Sequence, residues 1–498
     1  MISTISSFLK KWPLHLLLLP VFFIVSIYVQ LGGLLRPGEL VTAFLTVLGG
    51  LLLVFVILYL FYKDRNKAGL GATLAGVVFL FFGSIKDTMD KWLLLQYIAS
   101  YKILLPLLLI AGIFFLYRLR KIRSLGNATL FLNILFIIYL GIEAYKWLTI
   151  SRYEQTNAGN VLSQSSYPAS QKLPGIYYIL LDTYPSSTYQ QEVLGIAQNP
   201  LDSLLTAKGF FVVPDAKSNY HLTSFSLAST FGMQYLDWMK EVKTAKPYHY
   251  GRSASAVKHA PLFDWLQNNN YKLYNLSIFD LPGAPSMNKE RFFSEITSEI
   301  IFFNTFWSKA KWHILPYLFP SMVKKLAVKQ RQNFRELLEH FKQYNTRMLD
   351  SLSRLRDTVS RKFVYTHLEM PHYPFFYDSA GRPYPEEIAF SPSTVTNKDM
   401  FRNYIGYTNR IISTLLDSLL QHNRGNDIII LQSDHGTKTM DTTRPDDAFR
   451  NYSAFYFPDR DYRSLYPGMS NVNTFLIIFN KYFGQQLPLL KDSSIFIK

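Results

Sequence analysis

Residues 13–35 read PLHLLLLPVFFIVSIYVQLGGLL, with one histidine and no formal charge. About 20 such residues span the hydrocarbon core of a bilayer as a helix. Four more apolar runs follow before residue 151, at 41–62, 68–85, 103–117 and 128–150. The third is weakened by glycines. The fourth is short unless residues 92–100 contribute. The fifth carries Glu143 and Lys146 near its end. Such a pattern excludes an ordinary soluble fold for the first 150 residues and predicts an α-helical membrane domain of five transmembrane helices. A cleaved signal peptide is the alternative for the first run, but four further spans follow it and no small-residue cleavage site stands out.

The charged residues between the runs predict an orientation. Lys10, Lys11, Lys63, Arg65, Lys67, Arg118, Arg120, Lys121 and Arg123 fall on one side of a five-span arrangement, and Arg36, Lys86, Lys91 and Lys102 on the other. The positive-inside rule places the richer side, and the N-terminus, in the cytoplasm. Five is odd, so residues after 150 are expected outside the cytoplasm, in an integral protein of a plasma or inner membrane. Trp12 and Trp147 stand where interfacial anchors belong.

The chain has 52 Lys+Arg against 35 Asp+Glu, a net charge of +17. Nucleic acid is one partner for such a surplus. The topology loops already account for much of it, so no nucleic-acid partner is expected. Cysteine is absent, which excludes disulfides, thiolate-bound zinc, iron–sulfur clusters and a thiol nucleophile. Hydrophobic residues at 49% and charged residues at 17% exclude disorder for most of the chain.

Residues 151–171 are polar, with Ser, Asn, Gly and Pro, and read as a linker. From 172 to 498 the pattern is that of an α/β domain with a central, mostly parallel sheet. Short runs at 175–181, 362–367 and 427–431 are continuous and apolar, as in strands covered on both faces. Helical patterns at 261–269 and 332–352 lie between them. Ligands of open α/β sheets bind beyond the carboxyl ends of the strands. The first run ends in Asp182, the second in His367 with His372 shortly after, and the third is followed by Ser433-Asp434-His435-Gly436.

An adjacent carboxylate and imidazole after a strand suit a divalent cation with oxygen and nitrogen ligands. Each residue also has a plainer reading. Asp434 and His435 could cap a loop, Asp182 could cap a helix, and His367 and His372 could serve packing. Three strand ends with such residues together favour a site. The stretch 218–226, SNYHLTSFS, places several hydroxyls before a helix. A hydroxyl there is either an ordinary cap or a nucleophile helped by the helix dipole.

These pieces resemble the sulfatase-like branch of the alkaline phosphatase superfamily, in particular membrane-anchored lipoteichoic acid synthases and phosphoethanolamine transferases. The matching blocks are ILLD ending at Asp182, SNYHLTSFSLAS at 218–229, HLEMPHYPF at 367–375 and LQSDHG at 431–436, in the family's order. AFYFPD at 454–459 and NVNTFLIIF at 471–479 look like the closing strands of bacterial members. The resemblance implies a metal-dependent phosphotransferase, moving a head group from a phospholipid or glycolipid to an extracytoplasmic glycan or lipid. It implies that Asp182, Thr223, Asp434 and His435 hold one divalent ion (Mn, Mg or Zn). Thr223 would be the nucleophile, with Ser218, Ser224 and Ser226 as rivals. His372, and less directly His367, would contact the substrate. Asp182 stands where lipoteichoic acid synthases carry Glu, and Thr183 where many relatives carry Gly. No Cys or Ser lies in the C/S-x-P-x-R motif of formylglycine sulfatases, so sulfate ester hydrolysis by that route is excluded. A hydrolase of the same fold, or a non-catalytic surface protein, are the alternatives.

One segment fits neither half well. Residues 300–328 contain Phe302, Phe303, Phe306, Trp307, Trp312, Tyr317 and Phe319 with Lys309, Lys311, Lys324 and Lys325. Aromatics interleaved with lysines suit a membrane headgroup region; packing on the outer domain's own core is the other reading.

Overall fold

The structure is a computed structural model that describes every residue except 1, 32–33, 36, 159–161, 163–166, 169–170, 241, 243, 287–296, 315–318, 356–360, 390, 423–425, 438–439, 441–442 and 498. Tyr317 and much of the expected linker lie outside the described residues. The chain forms two compact units, Met1–Ile150 with Phe293–Arg335, and Ser151–Phe292 with Glu336–Lys498.

Among the described residues of the first unit, three helices are long and apolar enough to cross a membrane: Pro37–Tyr62, Tyr101–Lys121 and Gly126–Thr149. Two bent pairs, Thr4–Lys11 with His15–Leu31 (85°) and Arg65–Leu80 with Phe82–Asp90 (59°), raise the number to five if each counts as one span. The first bend has a cause in the sequence. Pro13 has no N–H to continue the helix. The Leu9 carbonyl freed by it and the Trp12 carbonyl, which also takes the Leu14 N–H, accept from the Asn133 amide at 2.8 Å each, and Asn133 in turn accepts from the His15 N–H at 2.6 Å. His15 is buried, with Nδ1 2.7 Å from the Thr73 hydroxyl. A polar group in such surroundings costs stability unless it is paired; this knot pairs the backbone N–H and Nδ1 of His15, while Nε2 has no partner among the described residues. The helices turn Leu53, Phe61, Leu109 and Phe131 outward.

The helix that starts at Gly126 continues to Ala158, so residues 151–158 of the expected linker are helical. Phe293–Arg335 is grouped with the helices rather than with the α/β unit into which it is inserted.

The second unit is built on a six-stranded sheet: β1 Ile176–Leu181, β2 Phe211–Val212, β3 Lys272–Leu276, β4 Lys362–Leu368, β5 Ile428–Ser433 and β6 Ser453–Tyr456. The order is β2-β6-β5-β1-β4-β3. β5, β1, β4 and β3 are parallel, and β6 and β2 add an antiparallel edge. The three strands read from apolar runs are thus the three central ones, and every residue of each is buried. Tyr178 of β1 packs on Phe231 and Phe475, at 5.4 Å between ring centres in both cases. These rings belong to helices Thr223–Gly232 and Asn473–Tyr482. The second helix corrects the expectation of closing strands at 471–479. FLIIF is buried on every side, and a short continuous apolar run carries no period that separates strand from helix. Near that helix start, Asn473 donates its amide to the Leu490 carbonyl (2.8 Å) and accepts from the Leu490 N–H (2.8 Å), tying the turn to the next segment.

Candidate metal centre and active site

The register of the central strands assembles the site. Leu181 at the end of β1 pairs with Leu368 on one side and Ser433 on the other, and Leu180 pairs with His367. Parallel neighbours lie about 4.8 Å apart, so residues just beyond their aligned ends share one edge. One ligand atom from each of Asp182, Asp434 and His435 lies within 4.8 Å of the others, and all three residues are buried.

Each side chain is aimed by its backbone. The Thr183 N–H donates to Oδ1 of Asp434 at 3.1 Å. Thr183 has φ +61°, in the left-handed region. A β-branched residue rarely sits there, and backbone strain of that kind gathers at functional sites. His435 directs Nδ1 to the Gly436 carbonyl at 2.7 Å. A carbonyl only accepts, so Nδ1 carries the proton and Nε2 keeps its lone pair, 3.2 Å from Oδ2 of Asp434. Gly436 is required because a Cβ would meet the Asp447 carbonyl oxygen at 2.4 Å and that of Arg450 at 2.8 Å.

Two carboxylates and an imidazole lone pair therefore converge in a buried space. Oδ1 of Asp182 and Oδ2 of Asp434 accept no hydrogen bond among the described residues. Burial and the neighbouring Asp182 charge push the Asp434 carboxyl above the usual range. Burial acts the same way on Asp182, but the charge of His372 and the approach of His367, then His435, hold it well below. His367 is buried with Nε2 3.4 Å from Oδ2 of Asp182. Burial lowers its affinity for a proton, yet the Asp182 carboxylate, with Asp434 and Glu369, keeps it above its ordinary value. Converging lone pairs with orphaned carboxylate oxygens fit a divalent cation held by two oxygens and one nitrogen.

Thr223 is the first residue of helix Thr223–Gly232, whose N-cap Leu222 supplies no side-chain cap. Its Oγ1 lies 3.4 Å from Nε2 of His435, at the positive end of the helix dipole. The rival hydroxyls are engaged or buried elsewhere. Ser226 donates to the Asp434 carbonyl (2.6 Å), and Ser224 accepts from Ser253 (2.7 Å). Ser218 is fully buried, beside a backbone tied to Phe449. His372 is exposed, with Nδ1 2.5 Å from the Tyr373 carbonyl. It is not one of the three clustered ligands, although its charge reaches Asp182.

Sequence reading missed the residues that hold the ligands in place. Asn451 and Asn471 donate to the Ser433 carbonyl at 2.7 and 3.0 Å, and Ser433 donates to the His435 carbonyl at 2.7 Å. Ser226 acts as a brace of this kind. An asparagine far along the chain carries no local signal of such work. The one available hint was Gly436 after Asp-His.

A comparison with curated proteins finds no match. Among solved structures, the C-terminal periplasmic domain of EptC from Escherichia coli is similar at 12% identity and a TM-score of 0.36, over 66% of this chain and 90% of that one. That domain is also known in complex with Zn. The periplasmic domain of the phosphoethanolamine transferase EptC from Campylobacter jejuni is similar at 14% identity and a TM-score of 0.34, over 66% and 95%. The soluble domain of lipooligosaccharide phosphoethanolamine transferase A from Neisseria meningitidis is similar at 13% identity and a TM-score of 0.34, over 63% and 89%. The family described as sulfatase matches residues 175–486, and with well over half of its length inside that match the chain belongs to the sulfatase family of the alkaline phosphatase superfamily.

Proposed function

We propose that this sulfatase-family enzyme is a membrane-anchored phosphotransferase, moving a phospholipid-derived head group to an extracytoplasmic glycan or lipid. Residues 1–150 form five spans with the N-terminus in the cytoplasm. The chain leaves the membrane through 151–171, and 172–498 carries the extracytoplasmic catalytic fold. The observation that carries the reading is the Thr223 hydroxyl beside Nε2 of His435, at an uncapped helix start, next to the buried carboxylates of Asp182 and Asp434.

Asp182, Asp434, His435 and Thr223 hold one divalent ion, Mn, Mg or Zn. When bound, such an ion lowers the pKa of a hydroxyl and screens phosphoryl charge. Thr223 Oγ1 forms a bond to phosphorus as the bond from phosphorus to the glyceride oxygen breaks. The threonine proton leaves, and the glyceride oxygen takes one up. His372, exposed beside the cluster, serves that transfer and contacts the phosphoryl oxygens, while buried His367 orients Asp182. An acceptor hydroxyl then attacks the phosphothreonine, gives up its proton and frees Thr223. The absence of a C/S-x-P-x-R motif supports phosphoryl rather than sulfuryl chemistry.

The test is to incubate the detergent-solubilised full chain and Mn with phospholipid labelled in the head group. Label should appear on Thr223 and then on an added glycan or lipid acceptor. Label released only into water would replace the transferase with a phosphodiesterase. No label on protein, acceptor or water would remove the catalytic reading.

A further inference from the structure

Residues 302–311 are inserted into the sulfatase match, yet their partners are membrane helices. Phe302 stacks on Phe23 at 6.1 Å, and Phe306 meets Phe82 edge-on at 5.1 Å and Phe79 at 6.2 Å. The Gly83 N–H donates to the Asn304 carbonyl at 2.7 Å. Glycine suits this approach, because a Cβ would stand 3.0 Å from Cα and O of Asn304 and 2.6 Å from Cε of Lys309, so the lysine would have to swing aside and the Asn304 backbone yield by a few tenths of an ångström. The seat lies just past Phe81, where helix Arg65–Leu80 bends into Phe82–Asp90.

Docking leaves two large rings outside. Phe303 is 59% and Trp307 57% exposed, on the same unit as Phe79 (43%) and Trp92 (65%). Lys309 runs its stem past Gly83 and sets its ammonium 4.3 Å from the centre of the Phe303 ring. A ring with an ammonium above it suits the depth where hydrocarbon gives way to headgroups. Trp and Tyr gather in bands at that depth. Trp307 and Trp92 are exposed beside helices whose own outer faces are apolar.

We propose that residues 302–311 are an interfacial lipid-binding element: Phe303 and Trp307 enter the upper acyl region of a bilayer, and Lys309 meets its phosphate headgroups. The occupant is a lipid surface because the exposed rings continue the apolar exterior of the spans. The inference rests on the membrane reading of those helices and not on the catalytic one.

The chain has no cysteine, so Phe303→Cys and Trp307→Cys each carry a single nitroxide label in the full-length protein. The protein is placed in vesicles of phosphatidylethanolamine and phosphatidylglycerol. Leu53→Cys, on an exposed face of Pro37–Tyr62, and Ser203→Cys, exposed in the α/β unit, are the references. Collision with oxygen relative to a water-soluble nickel chelate reports depth. At 303 and 307 the ratio should exceed that at 203 several-fold and fall below that at 53. Ratios at 303 and 307 equal to that at 203, with 53 in lipid, overturn the element and leave the membrane reading standing. Protection from both reagents, as by a protein partner or second copy, also overturns it. A water-like value at 53 removes both. Should labelling disturb the seat, quenching of native Trp307 by lipids brominated along the acyl chain, taken as the difference from Trp307→Phe, reads the same depth.

Discussion

Thr223 Oγ1 stands 3.4 Å from Nε2 of His435, although the two residues are 212 positions apart in the chain. The pairing exists because β5 ends beside β1 and the helix beginning at Thr223 points its N-terminus at the same edge. Ser226, one turn along that helix, bonds the Asp434 carbonyl at 2.6 Å and fixes the helix to the loop.

Thr223→Ala should therefore keep the fold and lose several powers of ten in turnover. A missing terminal hydroxyl costs only about 0.5–2 kcal/mol even where it caps a helix. Ser224→Ala, whose hydroxyl faces Ser253, should keep most activity. Steady-state rates with labelled phospholipid, beside melting temperatures, check the set. An active Thr223→Ala with an inactive Ser224→Ala would move the nucleophile by one residue.

Asp434→Asn should shift stability in opposite directions with and without metal. In chelator, the buried repulsion with Asp182 is relieved while Oδ1 still accepts from Thr183, so melting should rise by about 2–4 °C for each kcal/mol gained. With excess Mn, the variant should melt below the wild type, because one charged ligand is gone. A variant that melts lower in both conditions would argue against a carboxylate pair built for a cation.

Gly436→Ala places a methyl group against the Asp447 and Arg450 carbonyls. Backbone cannot yield as a side chain does, so a destabilisation of about 1–3 kcal/mol is expected. The displaced loop carries His435. The increase in melting temperature on adding Mn should shrink with it, and a calorimetric titration would show the weaker binding.

His249 sets a pH dependence away from the metal. It is buried, and its Nδ1 accepts from the Lys246 N–H at 2.8 Å. Burial, then the charges of Lys246 and Arg252, hold the imidazole below its ordinary value. Above about pH 6.5 both folded and unfolded forms are neutral. Below that, the unfolded chain binds a proton that the native one refuses, so stability falls on acidification until the lower folded value is passed. His249→Gln should lose less melting temperature than the wild type between pH 7.5 and pH 5.5. Equal losses would show that His249 does not titrate in this window.

Reporter fusions after residues 64 and 160 should report opposite sides of the membrane. The loops expected in the cytoplasm do meet at one end of the helical unit: Asn66 donates to the Lys10 carbonyl (3.0 Å) and Lys67 to that of Arg120 (3.2 Å). Fusions reporting the same side would overturn the five-span topology.

The central sheet was legible because β1, β4 and β5 are buried on both faces, so that each is dominated by an uninterrupted apolar or aromatic stretch: IYYILL, FVY and IIIL. Asp182, Asp434 and His435 could be read for the same reason, since charge directly after such a strand needs a partner. The antiparallel edge, the helix at Asn473–Tyr482 and the Asn451 and Asn471 braces were not legible. Their roles come from contacts distant in sequence, which no local pattern encodes. Phe302–Lys311 had a visible composition and an invisible address: the interleaved aromatics and lysines could be read, but their seat at Gly83 could not.

That seat also decides where the molecule can be cut. The polypeptide passes from one unit to the other after Ile150, after Phe292 and after Arg335, so the units are interleaved rather than strung in series. A fragment beginning at residue 172 would carry Phe302 and Phe306 away from Phe23 and Phe82 and put those faces into water. Excision of the α/β unit therefore calls for three cuts, after Ile150, Phe292 and Arg335, and a short polar splice in place of 293–335, so a graft at a single point exchanges neither unit whole.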